Sequence, residues 1–499
     1  MPQTSIVRID SSRSKKWGVS LLIAVAAAML VILCFAPRFK LWQSFDLPEV
    51  DRYYDTLRQL ENPFEDITNH VSRVNQWRLF FPFVGHLTGL SEWQFTTIPF
   101  LGCIATLFYI AILCQRAGMP IRDSLLLSTL LAMSPWYFVS TGWLAYFDSW
   151  VVFFMLVAAF SQNRIAVVTA CLIAPWIDER FVLALPVLLV VRATWNDRIK
   201  AHPGAMSTMI PLIGIATSVY LVIRLIALAT GTDPVAHTYA REHLALIQSI
   251  PITNLLWGVW FGHRIAWLFC IYFLYHCFKT YRRATFAVYS LAILLTTVGA
   301  LVIAGDMHRS LEMLFPVCLA GALLSRDLLP SRFTYALAAA VVLSAILPAR
   351  HQLWQESYPI HSLAYELQRE RPSTSERVHA GIGRSSHMAA EGDFAGAMLI
   401  ASKVLEIDQR AIEPRLHRAQ LLASTGNFDL AEQDLVAASE LNPSSADAAF
   451  FYGSMALQHG RYATALAKFQ EALRLGGEDW PNRADCQAAV HLLTRPPEE

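Results

Sequence analysis

Apolar residues gather into long blocks as far as about position 348, and beyond it the pattern changes to short amphipathic segments. A helix needs about twenty such residues to cross a hydrocarbon layer of about 30 Å. The first block, 17–36, follows a leader carrying Arg8, Arg13, Lys15 and Lys16. It has the outline of a secretory signal. Its apolar run is long for one, however, and its small residues sit in mid-run, so it is read as a retained first helix. Further spans are expected at 95–114, 124–142, 147–160, 165–177, 181–192, 207–229, 255–278, 284–304, 310–325 and 333–348, eleven with the first. The pair 165–177 and 181–192 is short. Fused into one span, it would hold Asp178, Glu179 and Arg180 near the midplane, where each charge is costly. As a tight pair, it turns those charges out at the surface. The expectation is an all-α fold whose residues 1–348 form a polytopic transmembrane helix bundle with a long first outer loop, 37–94.

Basic residues set the sidedness. With the N-terminus cytoplasmic, the leader, Arg116 and Arg122, Arg164, Arg192 to Lys200, Lys279 to Arg283, and Arg326 and Arg332 all fall inside. The short outer turns carry only Arg180 and Arg309. The C-terminal region then lies outside, in the periplasm if the membrane is a bacterial inner membrane.

That region has its own period. Gly392-Asp393-Phe394, Gly426-Asn427-Phe428 and Gly460-Arg461-Tyr462 recur every 34 residues. Ala397, Ala431 and Ala465 follow at one offset, Leu435 and Phe469 four positions on, and Ala438 and Ala472 three after that; Pro443 closes the middle unit. Small residues at fixed places in a 34-residue helix–turn–helix unit resemble the tetratricopeptide repeat. The expected layout is a polar linker at 349–375 with Pro359 and Pro372, then a soluble α-solenoid at 376–499 of about three repeats and a capping helix. Such a domain offers a concave face to a protein partner.

Composition narrows the class. The 499 residues are 55% hydrophobic and 16% charged, which excludes a wholly soluble or disordered chain. Forty Lys and Arg against 39 Asp and Glu leave a net charge of +1, so no basic surface is available to track nucleic acid. The cysteines lie in or beside apolar blocks, apart from Cys486, with no metal-type spacing, and are read as packing residues. His237 and His243 stand six apart, do not share a helix face and are not read as a metal site.

The candidate chemistry comes from charges at span ends. Asp46, Glu49, Asp51 and Asp55 follow the first helix; Asp148 opens a span; Asp178 and Glu179 sit on the short turn; Asp306 and Glu312 flank another. Arg224, His263, Arg264, His308 and Arg309 lie in the outer third of spans. Such residues suit snorkelling to headgroups, or, if paired and wet, they mark a polar cavity. Arginine's fork binds phosphate and a carboxylate can take a proton from a hydroxyl, so the set suits a lipid-linked anionic substrate. Most tryptophans are read as interfacial anchors.

This layout resembles the GT-C superfamily of polyprenyl-phosphate-sugar-dependent glycosyltransferases. The resemblance rests on "SFDLPEVDRYYD" in the first outer loop, "NQWRLFFPFVGHLTGL" (75–90), "IAPWIDERFVLALP" (173–186) and "GDMHRSLEMLFP" (305–316). The Asp-Glu dipeptide of the protein-mannosyltransferase branch is missing, since Leu47 follows Asp46. The resemblance implies sugar transfer from a polyprenyl-phosphate donor to an acceptor hydroxyl of a protein or glycan at the outer face. Asp46 or Asp51 would be the general base, with Asp148 or Asp178 assisting. Glu179, Arg180, Arg224, Arg264, Asp306, His308 and Arg309 complete the expected substrate-binding set. No cofactor is expected beyond the donor, and the separated carboxylates favour transfer without a metal. Two other readings stand beside it. One is a non-catalytic membrane-anchored repeat scaffold; the other is an O-antigen ligase-like or polymerase-like enzyme, although those carry their largest outer loop late.

Overall fold

The computed structural model describes residues 11–38, 49–65, 75–199, 205–230, 250–303, 306–326, 332–352 and 357–494. These residues are nearly all helical; the one strand pair described is a short antiparallel ribbon, Ala349–Gln352 with Ser357–Ile360, lying within the expected linker. The chain divides into two compact units, built chiefly from Arg73–Arg369 and Glu370–Glu499.

Eleven crossings are not what the first unit displays. Six described helices are long and apolar enough to cross a membrane: Lys16–Cys34, Glu92–Arg116, Met206–Ala229, Ile252–Thr280, Arg283–Leu301 and Met307–Ser325. A seventh arises if Ile121–Ala132 and Pro135–Gly142, bent by 66°, count as one. Local chemistry explains that bend: Ser134 precedes a proline and takes an extended conformation, ending the first helix. Asp148–Phe160, Arg164–Trp176 and Phe333–Ile346 are apolar but shorter. The expected 181–192 segment is part of Arg180–Arg198, whose last turns are polar. Uninterrupted hydropathy reported apolar blocks faithfully, but not where they bend or stop.

The long helices differ in what covers them. Met307–Ser325 is wholly buried within its unit, whereas only 11% of the apolar window in Arg283–Leu301 is. Large apolar side chains such as Leu22, Ile215, Leu225, Leu268 and Leu294 stand exposed. Exposed apolar side chains on helices this long suit a hydrocarbon surrounding.

Close helix approach depends on glycine. A Cβ at Gly321 would lie 1.9 Å from the Phe269 carbonyl oxygen, so Phe315–Ser325 and Trp267–Thr280 touch through backbone. Gly321→Ala must push them apart and is expected to cost about 1–3 kcal/mol or more. Gly214→Ala meets nothing within 4 Å and serves as the neutral control. Thermal unfolding of the detergent-purified variants separates the two.

In the second unit, three helix pairs and a final helix, Arg483–Thr494, follow the 34-residue period. Gly392, Gly426 and Gly460 take positive φ of 87°, 80° and 73°, the left-handed turn that lets each second helix double back. Ala397, Ala431, Ala465, Ala438 and Ala472 are fully buried where the helices cross, and Leu435 and Phe469 fill the spaces between.

Candidate functional site

The helix Asp148–Phe160 is seated by small and hydroxyl residues. A Cβ at Gly102 would strike Ser149 Oγ at 2.4 Å, so only glycine lets Glu92–Arg116 come this close. Across that contact Thr106 Oγ1 donates to the Ser149 carbonyl (2.7 Å) and Ser149 Oγ to the Pro99 carbonyl (2.8 Å). The preceding turn carries Ala145 at φ 60°, a left-handed conformation that non-glycine residues adopt at a cost. Asp148 is thereby placed in the first turn of its helix, where the backbone dipole favours a negative charge.

Two arginines converge on it. Arg309 Nε and Nη2 donate to the two Asp148 oxygens at 2.5 and 2.9 Å. Arg180 Nη2 donates to Asp148 Oδ1 at 2.5 Å and, with Nε, forms a fork on Asp178 at 2.8 Å for each bond. Arg180 Nη1 also donates to the Arg309 carbonyl at 2.9 Å, tying the two arginine-bearing segments together. Arg309 Nη1 reaches Asp306 Oδ2 at 3.1 Å, and its guanidinium lies 4.4 Å from the Tyr146 ring centre. Asp148, Asp178, Arg180, Arg309 and Glu312 are all buried. Burial alone would raise Asp178, but the guanidiniums of Arg180 and Arg78 hold its carboxyl well below the usual carboxylate range.

Arg78 and Glu179 form the half-open side of this network. Arg78 Nη2 lies 3.0 Å from Glu179 and 3.3 Å from Asp178. Nearby aromatic contacts hold Arg224 over Trp77 (4.6 Å) and Tyr220 edge-on to Trp176 (5.0 Å). Glu312 stands 3.7 Å from Arg180, and neither of its buried carboxylate oxygens accepts a hydrogen bond.

Of the residues nominated from sequence, Asp148, Asp178, Glu179, Arg180, Asp306 and Arg309 come together, and His308 adjoins them. Arg224 lies against Trp77 rather than in the ion network. Arg264 is elsewhere: it donates to the Ser344 and Leu347 carbonyls at 2.5 Å, where Phe333–Ile346 ends, and to the Met133 carbonyl at 3.4 Å. That is a helix cap, and it leaves the guanidinium facing carbonyls instead of a phosphate. Asp46, His237 and His243 lie outside the described residues, as does the side chain of Asp51. Sequence reasoning missed Arg78 and His351 and gave no role to Glu312. Arg78, beside Trp77 in the segment before the helix Phe80–Thr88, carried no sign of its partner 101 positions away.

A second cluster adjoins the first through Asp306. Ligand atoms of Asp306, His308 and His351 lie within 4.8 Å of one another. Against its burial, Asp306 is held below the usual carboxylate range by the His351 ring and by Arg309.

The tetratricopeptide repeat family model matches residues 416–480. A search of curated proteins finds no match to the chain. The chain thus carries a tetratricopeptide repeat region in addition to a unit of long apolar helices.

Proposed function

We propose that this chain is a multi-pass membrane glycosyltransferase of the GT-C type. It moves a sugar from a polyprenyl-phosphate donor to an acceptor hydroxyl at the outer, periplasmic face, with its N-terminus in the cytoplasm. The observation that carries this reading is Asp148, buried and shared by two arginines, with the carboxylates of Asp178 and Glu312 buried beside it. Charges in such surroundings are costly, and a mere anchor has no use for them. Arginine forks suit the donor's phosphate; those of Arg180 and Arg309 end on carboxylates here, so a phosphate would have to displace a carboxylate from them. Either first-loop aspartate, Asp46 or Asp51, is the proposed base, and the ion network is the proposed substrate-binding set. The repeat region recruits a protein acceptor or partner.

The test is transfer in proteoliposomes holding the full chain, radiolabelled polyprenyl-phosphate sugars and membrane extracts as acceptor. Label passing to a protein or glycan, and lost in the Asp46→Asn/Asp51→Asn double variant, supports the reading. No transfer with any donor, together with stoichiometric capture of a partner by the repeats, supports the non-catalytic scaffold.

A further inference from the structure

Asp306, His308 and His351 are not needed by the transfer just described, and their geometry asks for an explanation of its own. His308 and His351 are 1% and 0% exposed. His308 Nδ1 lies 2.9 Å from the Gln352 carbonyl and 3.3 Å from the Gln352 N–H; with its proton given to the nearer carbonyl, Nε2 is left as the free acceptor. Nε2 then has no hydrogen-bond partner, and neither do Asp306 Oδ1 and both ring nitrogens of His351. His351 Nε2 and Asp306 Oδ1 face each other at 3.3 Å, an ion-pair distance at which the hydrogen-bond geometry is not met. The other Asp306 oxygen is occupied by Arg309. Buried polar atoms are rarely left unmatched, and here several lie within 4.8 Å of one another, from the segment 306–308 and the strand Ala349–Gln352.

We propose that Asp306 Oδ1, His308 Nε2 and His351 Nε2 bind a divalent transition-metal ion, Zn²⁺ by the chemistry of the donor set. Two imidazoles and one carboxylate suit zinc, whereas magnesium and calcium prefer oxygen. Zinc bonds of about 2.0–2.1 Å give a ligand–ligand edge of about 3.4 Å, which the Asp306–His351 pair already meets. The third ligand closes by small rotations of side chains. A histidine ligand whose other nitrogen donates to a main-chain carbonyl has its tautomer and ring plane set in advance, as for His308. The Trp143 ring, 4.3 Å from that of His351, walls the site on one side. Three protein ligands leave one position for water. The ion fastens the 306–309 segment to the strand Ala349–Gln352, and through Arg309 it steadies Asp148. This inference does not depend on sugar transfer.

The full chain, purified in detergent without a polyhistidine tag, is loaded with Zn²⁺ or Co²⁺, desalted and assayed for metal. One ion per chain is expected, with at least a tenfold loss in His308→Gln and in His351→Gln. Native protein that retains less than a tenth of an ion, or variants that retain the native stoichiometry, would overturn the site. If a variant fails to give a monodisperse elution profile, the visible spectrum of the Co²⁺-loaded native chain decides. Intense four-coordinate bands are expected, and the weak bands of octahedral cobalt count against the proposal.

Discussion

Asp148→Asn is expected to remove about 3–5 kcal/mol from the stability of the purified chain, the cost of breaking a buried charge pair from one side. The change preserves shape and removes only charge and acceptor capacity. Three guanidinium donors from Arg180 and Arg309 now end on this carboxylate. An amide offers them one oxygen and sets its own NH2 against the rest, leaving two buried cations short of a counter-charge. Removing one of those cations as well should recover part of the loss. The double variant Asp148→Asn/Arg309→Met is therefore expected to be destabilised by less than the two single variants together, by about 0.5–3 kcal/mol. Denaturant or thermal unfolding in a fixed detergent measures the cycle. Strict additivity would show that the carboxylate and the arginine do not act as a unit.

How much of this could be read from the chain depends on what kind of signal carried it. The repeats were legible because their packing is local: Ala397, Ala431 and Ala465 bury themselves against helices only a few turns away in sequence, so spacing alone records the contact. Asp148, Asp178, Arg180 and Arg309 were legible as a set because charges beside apolar blocks need partners. The pairing of Asp148 with the two arginines was not, since it spans 32 and 161 positions and depends on how helices cross. Buried arginine by itself was a poor guide. Arg264 caps one helix end, and Arg192 does the same for another, donating to the Ala158 and Ser161 carbonyls at 2.6 and 2.7 Å. At the level of sequence, both look no different from Arg309. His351 was invisible for a related reason: it lies in a stretch whose prolines read as linker, and the short ribbon that carries it pairs through backbone.

Arg309→Lys separates a working network from a structural one. The substitution keeps one positive charge but loses the planar fork, so a single ammonium must replace donors that reach Asp148 through Nε and Nη2 and Asp306 through Nη1. Because the charge stays, the expected loss of stability is smaller than for Asp148→Asn. Transfer under the proposed function is expected to fall about 100-fold, the scale set by ångström-level misplacement of reacting groups. Arg264→Lys makes the informative contrast. It weakens a helix cap remote from the carboxylates, so it should lower the unfolding temperature while transfer per folded molecule stays near the native rate. If Arg309→Lys instead behaves like Arg264→Lys, losing stability and keeping transfer, the carboxylate–arginine cluster is only a staple between helices. The reacting groups would then have to be sought in the first outer loop alone.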